Sequence, residues 1–466
     1  MRNHQSLSTP PVLDPDAARG RGEGAAGGRR PTMLLVTYNF PPTQTIGSVR
    51  VGKIALHFAK RGWNVRVVTT RPSRFGHGGG GMQLPELPTL RVIRTAPADV
   101  FGPLRPLRTA FRKRRIRQAE AHPSGGVSQG GASRRSRMLS WLQHNVAEVP
   151  DPKWPWYFLA MRAARRFLKR EHVDVVMSSS YPVVCHFVGA ALKARSAIPW
   201  VADLRDPWTE HTMLIGQRTR LVEWIHLKLE QRTLRRADWI TTVSDSIAAD
   251  YQARYPHLPV LCMRNGFDPD DYPEPAGRAP GKLRFVYTGS LYDGRRDPTT
   301  FFGALQLLFA EQPSLRERLE VLFAGPPTPV LGQLIARFEL QDVVEWVGNV
   351  PYHQSLALQR SADVLLIFDS PINARRTASG KVFEYFGAGR PLLAKAQPED
   401  ELTRVIHRCE AGEVYGSAEE AVALLKRYVA DAGKLRAWKA SDRVVEYTRD
   451  AQISKLRVRL EESLVR

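Results

Sequence analysis

Short runs of apolar, β-branched residues alternate with amphipathic helical patterns along most of this chain. The runs are apolar at successive positions, which is typical of strands buried on both faces. Such strands occur in parallel sheets that helices cover on both sides, so the alternation predicts an α/β architecture. We predict strands at Met33–Asn39, Val65–Thr70, Val173–Ser178, Trp200–Leu204, Trp239–Val243, Val260–Met263, Arg284–Thr288, Glu320–Ala324, Val344–Val347, Val364–Phe368 and Leu392–Ala394.

A proline-rich segment divides this strand pattern into two halves. Asp268–Lys282 contains four prolines and several charged residues, a composition typical of an interdomain linker. The chain has 466 residues, enough for two domains with sizeable cores. We expect one α/β domain over 31–275, a second over 276–445, and a C-terminal helix over 446–466. Segment 1–30 is rich in glycine and arginine and has neither an apolar core nor a secretory signal pattern, which predicts a disordered tail.

The chain carries a formal net charge of +22, so its electric field favours an anionic partner. Positive charge is concentrated in 105–137, where ten lysines and arginines stand against one acidic residue, Glu120. An aromatic cluster, Pro152–Phe158, and a basic helical pattern, Met161–Arg170, follow it, and this combination is typical of a membrane interface. We therefore predict a basic insertion over about 101–150 that contacts an anionic membrane surface. The alternative is a solvated arginine-rich insertion, and the block lacks the interleaved aromatics of a nucleic-acid stacking platform.

Hydropathy argues against a membrane-spanning protein, and cysteine spacing argues against a fold held by disulfides or a bound metal. The sequence has no run of about 20 apolar residues, which argues against a transmembrane helix. Its cysteines, Cys185, Cys262 and Cys409, are far apart and form neither a disulfide framework nor a metal-ligand pattern. We expect no metal and no cofactor, and a cytoplasmic protein held peripherally at the inner face of the plasma membrane.

The segment Ser379–Pro391 has the pattern of a nucleotide-binding loop. Small residues lead into a short helix that ends at glycines, so backbone amides at the helix N-terminus can receive an anion. Glu384 lies one turn into that helix, where its carboxylate can accept hydrogen bonds from two ribose hydroxyls. A phosphate-sized donor set beside a ribose-sized acceptor favours a nucleotide sugar, and the alternative is an ordinary capped surface helix.

Two loops of the first half carry polar or small residues at predicted strand ends. Gly47 opens the helix after the first strand and would let a phosphate or sugar approach the backbone closely. Asp203, Arg205 and Asp206 follow another buried strand, where charges are costly unless they are paired or used. We predict that Arg50, Asp203 and Arg205 contact the acceptor and that Asp206 is the candidate base. A plain helix cap and an Asp–Arg ion pair are the alternatives.

Glycines close three predicted strands of the second half, at Gly289, Gly325 and Gly348. Gly325 and Gly348 would leave room for a flat base against the backbone. Ser290 follows Gly289, and Arg295 and Arg296 come after a short turn, where two guanidinium groups suit a pyrophosphate. Structural turn glycines and exposed loop arginines are the alternatives.

Taken in chain order, these segments resemble a family 4 glycosyltransferase of the GT-B fold, of the bacterial surface-polysaccharide type. The resemblance extends from about Thr32 to Leu464. Arg264–Asp268 resembles the family's marker before the linker, and Ser361–Val364 with Lys381–Tyr385 resembles its donor site. The strand-end markers are Thr288–Ser290, Phe323–Gly325 and Trp346–Gly348. Each marker is short, and their order and spacing carry the resemblance.

The resemblance implies two Rossmann-like domains that face each other across a cleft, with the C-terminal helix crossing back to the first domain. It implies a nucleotide-diphosphate-sugar donor held mainly by the second domain, with Glu384 on the ribose and Gly47 near the donor from the opposite side. Arg295 or Arg296 would bind the pyrophosphate together with the backbone amides of Gly380, Lys381 and Val382. Family members usually retain the anomeric configuration and need no bound metal.

One position departs from the family pattern. Arg376 lies eight residues before Glu384, where many members have a second glutamate that contacts the donor sugar. The fold prediction does not depend on this position, whereas the contact to the donor sugar does.

These features predict a hexosyltransferase that transfers a sugar from a nucleotide-diphosphate donor to a saccharide or a polyprenyl-pyrophosphate-linked acceptor. Its pathway would be cell-surface polysaccharide, such as lipopolysaccharide, or glycolipid assembly. Arg295, Arg296 and the helix amides would stabilise the leaving nucleoside diphosphate. With retention the leaving phosphate can accept the acceptor's proton, and with inversion Asp206 would be the base. The alternatives are a nucleotide-sugar epimerase of the same fold and a basic nucleic-acid-binding protein, although nucleic acid is not an expected partner.

Overall fold

The computed structural model describes residues 29–465 apart from 44, 73–80, 101–137, 139–140, 143–144, 147–148, 210–217, 278–280, 293–294 and 370–373. Most of the predicted tail over 1–30 and most of the predicted basic insertion near 101–150 therefore lie outside the described residues. Arg29, at the end of the predicted tail, is ion-paired with Asp174.

The first half of the chain forms a seven-stranded parallel sheet. Its strands are β1 (Thr32–Thr37), β2 (Asn64–Thr70), β3 (Leu90–Thr95), β4 (Val175–Ser179), β5 (Trp200–Leu204), β6 (Trp239–Thr242) and β7 (Val260–Cys262). Its helices include α1 (Ile46–Lys60), α2 (Trp156–Leu168), α3 (Val184–Ser196), α4 (Arg220–Leu234) and α5 (Asp245–Arg254). The spatial order β3-β2-β1-β4-β5-β6-β7 reverses direction at β1, as in a doubly wound Rossmann-like domain.

The second half forms a six-stranded parallel sheet with the same winding. Its strands are β8 (Leu283–Thr288), β9 (Leu319–Ala324), β10 (Val344–Gly348), β11 (Val364–Phe368), β12 (Leu392–Lys395) and β13 (Gly412–Tyr415), in the spatial order β10-β9-β8-β11-β12-β13. Its helices include α6 (Thr299–Glu311), α7 (Pro329–Arg337), α8 (Tyr352–Ser361), α9 (Gly380–Ala388), α10 (Glu401–Arg408), α11 (Ala418–Ala430), α12 (Ala432–Ala437) and α13 (Arg449–Val465). The predicted α/β class with two Rossmann-like units is confirmed.

The C-terminal helix α13 packs on the first sheet rather than on the second. Its apolar residues Ile453, Leu456 and Leu460 are buried in the same core as α1 and the inward face of β1. Polar contacts fix its two ends, because Asp450 is ion-paired with Arg61 of the first half and Trp63 Nε1 donates to Glu461 Oε1 over 3.1 Å. The helix therefore ties the end of the chain to the first half.

Two observed strands escaped the sequence prediction, and both lie at sheet edges. Strand β3 reads Leu-Arg-Val-Ile-Arg-Thr, is only partly buried, and pairs with β2 alone. Strand β13 has four residues and pairs with β12 alone. An edge strand is covered less completely than a central one, so it does not need the continuous apolar run on which the prediction depended. Among the described residues, no helix is long and apolar enough to cross a membrane.

Candidate active site

The candidate site lies between the carboxyl edges of the two sheets, where ligands of open α/β sheets bind. A cavity of about 210 Å³ opens there. Val49 and Met82 line it from the first half of the chain. Facing them are five of the predicted donor-binding residues, Gly289, Gly325, Gly380, Lys381 and Glu384.

The N-terminus of α9 forms one wall of this cleft. Gly380 opens the helix, and Ser379 before it has its backbone N–H hydrogen-bonded to the Asp369 carboxylate (3.2 Å). Val382 N already donates to Ser379 O over 3.1 Å, and its side chain is buried in the domain core. The prediction that the Val382 amide receives an anion is therefore not supported, since that amide is used within the helix turn.

Lys381 bridges α9 to the end of β8. Its ammonium donates to the Thr288 carbonyl and lies 4.6 Å from the centroid of the Tyr287 ring. Burial, and then the positive charge of Arg296, lower the pKa of Lys381 well below its ordinary value. The Glu384 and Asp369 carboxylates act in the opposite direction without offsetting the burial. A phosphate entering the cleft would add negative charge beside this amine, so the position suits a pyrophosphate contact.

Two of the three strand-end glycines, Gly289 and Gly325, line the cavity, whereas Gly348 lies beside Gly325 and outside the lining. Gly289 N donates to Ala324 O (2.6 Å) and Gly325 N donates to Gly348 O (2.8 Å), so the loops continue the pairing beyond the strands. Gly289 has a φ of +113° and Gly348 a φ of +77°, both in the region that favours glycine. A Cβ on Gly289 would collide with Lys381 Nζ, and a Cβ on Gly325 with the Gly289 carbonyl.

Glu384 faces the cleft with its carboxylate held by Gln359 of α8. The Gln359 side-chain amide donates to Glu384 Oε1 (2.7 Å) and also to Thr288 Oγ1 (3.0 Å). Gln359 is fully buried, so these bonds fix its orientation. Sequence reasoning missed Gln359, because its partners lie on other elements and a lone glutamine on a helix has no local signature.

The two predicted pyrophosphate arginines have different surroundings. Arg296 stacks on Tyr292 (4.7 Å to the ring centroid) and directs Nη2 to Ser379 Oγ (3.3 Å), at the start of α9. Its Nη1 lies 3.4 Å from the Ser290 carbonyl, which also accepts from the Tyr287 hydroxyl. Ser290 and Arg296 thus shape the turn beside the cleft, while Arg295 hydrogen-bonds through its backbone N to Tyr292 O (3.2 Å).

On the opposite side of the cleft, Arg205 lies against the start of α1. A Cβ on Gly47 would collide with the Arg205 guanidinium, so glycine at this position lets the two loops touch. Arg205 Nη2 is ion-paired with Asp206 Oδ2 at 2.6 Å. The loop is anchored further along, because Trp208 N donates to the Tyr251 hydroxyl (3.1 Å). Gly47, Arg205 and Asp206 therefore lie together, and none of the three lines the cavity.

Arg50 and Asp203 are buried and bonded to each other, which corrects the expectation that they contact an acceptor. Arg50 Nη2 lies 2.9 Å from Asp203 Oδ1 and also donates to the Met263 carbonyl (2.9 Å). Although burial opposes its charge, the pKa of Asp203 is lowered, because Arg50 attracts the carboxylate and Ser179 and Thr241 donate hydrogen bonds to it. The pair joins β5 to the segment after β7 and presents neither side chain to a ligand.

Arg376, the position that departs from the family pattern, connects the two halves of the chain. Its guanidinium is ion-paired with Asp250 of α5, and its carbonyl accepts from Ser246 Oγ (2.8 Å). Nearby, Arg264 bridges Asp245 of α5 (2.7 Å) and Glu401 of α10 (2.8 Å). These contacts form a polar clasp between the two halves, here called the Arg376 clasp. In the described part of the chain, no group of three or more His, Cys, Asp or Glu side chains is arranged to hold a metal ion.

Comparisons with known proteins agree with this geometry. The model of Glycosyltransferase Family 4 matches residues 129–271, and that of a glycosyl transferase-like family matches residues 306–456. No curated protein sequence matches the chain. The matches to family models and the paired parallel sheets define a glycosyltransferase of the GT-B fold. More particularly, the chain belongs to the glycosyltransferases of family 4.

Solved structures share the fold at low sequence identity. Sucrose-phosphate synthase from Thermosynechococcus elongatus matches with a TM-score of 0.59 at 15% identity, over 94% of this chain and 99% of that chain. The UDP-forming α,α-trehalose-phosphate synthase from Burkholderia xenovorans, in complex with glucose-6-phosphate, matches with a TM-score of 0.58 at 12% identity, over 92% and 100%. The E. coli trehalose-6-phosphate structure with bound UDP-2-fluoro glucose matches with a TM-score of 0.56 at 11% identity, over 92% and 98%.

Proposed function

We propose that this glycosyltransferase transfers a hexose from a nucleotide-diphosphate-sugar donor to an acceptor bound by the first half of the chain. The observation that carries the proposal is the convergence of Glu384, Lys381 and the N-terminus of α9 on one cleft. Glu384 supplies a carboxylate for the ribose hydroxyls, and Lys381 and the helix N-terminus supply positive charge for a pyrophosphate. Both side chains belong to α9 and lie about one turn apart. Two similar structures agree, since one contains UDP-2-fluoro glucose and the other is a UDP-forming enzyme.

Each part of the donor has a counterpart in this cleft. Glu384, oriented by Gln359, accepts hydrogen bonds from the ribose. Lys381, Arg296 and the amide end of α9 bind the pyrophosphate and stabilise the charge that develops on it as the glycosidic bond breaks. Gly325, which lines the cavity with Gly348 beside it, would leave room for a flat base against the backbone. Arg295 remains a second candidate for the same phosphates.

The first half would supply the acceptor side. In a retaining displacement on one face of the sugar, the leaving phosphate accepts the acceptor's proton, and no separate base is required. Arg205 lies beside Gly47 and would orient the acceptor or the donor phosphate. If the reaction inverts, Asp206 is the candidate base, and it is ion-paired with Arg205.

The acceptor is proposed to be a saccharide or a polyprenyl-pyrophosphate-linked saccharide, in cell-surface polysaccharide or glycolipid assembly. The net charge of +22 supports an anionic acceptor and an anionic membrane surface at the cytoplasmic face of the plasma membrane. The reaction needs no metal in this proposal, because Lys381 and Arg296 take the role of countercharge to the leaving group.

The test measures nucleoside diphosphate binding to the wild type and to Glu384→Ala. The ribose loses hydrogen bonds to a charged group, worth about 1.5–3 kcal/mol, so affinity should fall roughly 10- to 150-fold. Glu311→Ala, an exposed glutamate of α6, is the matched control and should not change affinity. Equal binding by the wild type and Glu384→Ala would refute the assignment. Donor-sugar interconversion without any acceptor would instead favour a nucleotide-sugar epimerase.

A further inference from the structure

Large apolar side chains are exposed along one rim of the first half of the chain. Trp154 and Phe158, at the start of α2, are 41% and 64% exposed, and Leu221 and Trp224, at the start of α4, are 66% and 55% exposed. Trp141 and Val146 are also more than half exposed. Folded proteins usually bury large apolar side chains. Six exposed ones along one rim therefore indicate an interaction surface. We call these six residues the apolar rim.

Hydrogen bonds bring the parts of the chain that carry the apolar rim to neighbouring helix starts. Asn145, between Trp141 and Val146, accepts from Thr219 N at the start of α4 (2.6 Å). Further along, Asp151 accepts from Val184 N at the start of α3 (2.7 Å). Asn145 therefore lies at the start of α4 and Asp151 at the start of α3, and Trp154 N donates to Asp151 O (3.1 Å) just before α2. Since packed helices lie roughly 8–10 Å apart, the three helix starts together span about 20 Å.

The apolar rim lies at the same edge of the sheet as the cleft. Helices α3 and α4 follow β4 and β5, so they begin at the carboxyl edge of these parallel strands. The start of α2 lies at this edge too, because Trp156 Nε1 donates to Thr95 Oγ1 at the end of β3 (2.7 Å). A surface that meets the apolar rim would therefore approach the acceptor side of the cleft.

Positive charge predominates around the apolar rim, and the one acidic residue among the rim positions of α4 is Glu223, exposed between Leu221 and Trp224. Helix α2 contains no acidic residue, and its Arg162, Arg165 and Arg166 are exposed. On α4, the Lys228 ammonium lies 6.0 Å from the centroid of the Trp224 ring. Two copies of this chain that met through such a surface would bring like charges together, whereas an anionic surface would gain attraction. The chemistry therefore favours an anionic partner over self-association.

We propose that the apolar rim docks this protein on an anionic lipid bilayer. Its aromatic and leucine side chains enter the headgroup region, and the arginines of α2 attract acidic lipids. The cleft would then open toward the bilayer, where a lipid-linked acceptor is presented. This last point rests on the proposed transferase function, whereas docking itself needs neither donor nor acceptor.

The experiment is sedimentation of the full chain with vesicles of phosphatidylcholine alone and of phosphatidylcholine with phosphatidylglycerol, at low and high salt. The wild type should bind the anionic vesicles, and salt should weaken the binding. Phe158→Ser with Trp224→Ser should reduce partitioning at least tenfold, and Arg162→Glu with Arg165→Glu should reduce it on anionic vesicles. Leu307→Ser with Val445→Ser, which changes exposed apolar residues of the second half, is the matched control and should bind like the wild type.

Wild-type binding by both rim variants would overturn the proposal. The proposal would also be overturned if the rim variants changed the oligomeric state of the protein and left vesicle binding unchanged. That result would assign the apolar rim to a contact with a second copy of the chain. Nucleoside diphosphate binding, measured on the same variants, shows that they are folded. A chain that binds the nucleotide but no vesicles refutes docking alone, and a chain that binds vesicles but no nucleotide refutes the transferase function alone.

Discussion

The side-chain amide of Gln359 donates a hydrogen bond of 2.7 Å to the carboxylate of Glu384, joining α8 to α9 at the wall of the cleft. Gln359 is fully buried and also donates to Thr288 Oγ1, so the carboxylate is connected through it to the end of β8. Preorganisation of this kind lets a ligand bind without first ordering the group that receives it.

We expect Gln359→Leu to weaken nucleoside diphosphate binding roughly 3- to 10-fold with little loss of folding. The leucine keeps the volume but leaves the Glu384 carboxylate without its donor, so the ligand must order it. Titration calorimetry with a nucleoside diphosphate measures the change. Gln333→Leu, an exposed glutamine of α7, is the control. Unchanged affinity in Gln359→Leu would show that Glu384 orients itself.

Gly289→Ala should lower both the stability of the protein and its affinity for the donor, although it adds only one methyl group. The residue has a φ of +113°, which alanine adopts only with strain, and the new methyl group would collide with Lys381 Nζ. We expect a loss of about 1–3 kcal/mol in unfolding free energy and a larger fractional loss of donor binding, since Lys381 must move. Gly332→Ala, in helix α7 with open space around it, should be neutral or stabilising. Equal stability of the two variants in a denaturant titration would contradict the prediction.

The Arg376 clasp should favour the arrangement of the two halves in which Arg376 is paired with Asp250, here called closed. Arg376→Ala removes the ion pair with Asp250, whose strength is limited to about 0–1 kcal/mol by partial exposure, so the shift toward open forms should be up to about fivefold. We expect a larger radius of gyration by small-angle scattering and a higher KM for the donor. Arg375→Ala, next to it, breaks a pair with Glu399 inside the second half and is the matched control. The exchange Arg376→Asp with Asp250→Arg should restore the wild-type values. If Arg376→Ala changes neither the radius of gyration nor the KM for the donor, the clasp does not hold the two halves together.

Local patterns were sufficient to predict the central strands and the Glu384 loop. Strand β11 is apolar at every position because helices cover both faces, and β1 is apolar at four successive positions, Met33–Val36, for the same reason. The start of α9 was also predictable, since glycines and small residues mark it locally. The predictions failed where coverage is incomplete, as in the edge strands β3 and β13.

Long-range pairing could not be predicted in the same way. Charges at the end of β5 had to be either paired or functional, and the sequence did not distinguish between these outcomes. Asp203 is paired, with Arg50, which lies 153 positions away in the chain. Arg205 and Asp206, two and three residues further along, are paired with each other at the start of α1 and do not line the cavity. The amide of Val382 was likewise expected to receive an anion, but the first turn of α9 is wound tightly enough to use it.

The stability of the protein should depend on pH through Lys381. Burial lowers the pKa of Lys381 well below its ordinary value of 10.5, so between these two values the unfolded chain binds more protons than the folded one. Stability therefore rises as pH increases through the lowered pKa toward 10.5, because the folded protein no longer holds a buried charge. Each unit of lowering corresponds to about 1.4 kcal/mol. Lys381→Met should be the more stable protein at low pH and should lose this advantage as pH rises.

A nucleoside diphosphate should reverse this effect. Its phosphates stabilise the ammonium and raise the pKa of Lys381, so binding takes up a proton at pH values between the lowered pKa and 10.5. Calorimetry in buffers of different ionisation enthalpy should detect that proton for the wild type and not for Lys381→Met. Lys434→Met, which changes an exposed lysine of α12, should behave like the wild type. Proton uptake of the same size in Lys381→Met would place the titrating group elsewhere in the cleft.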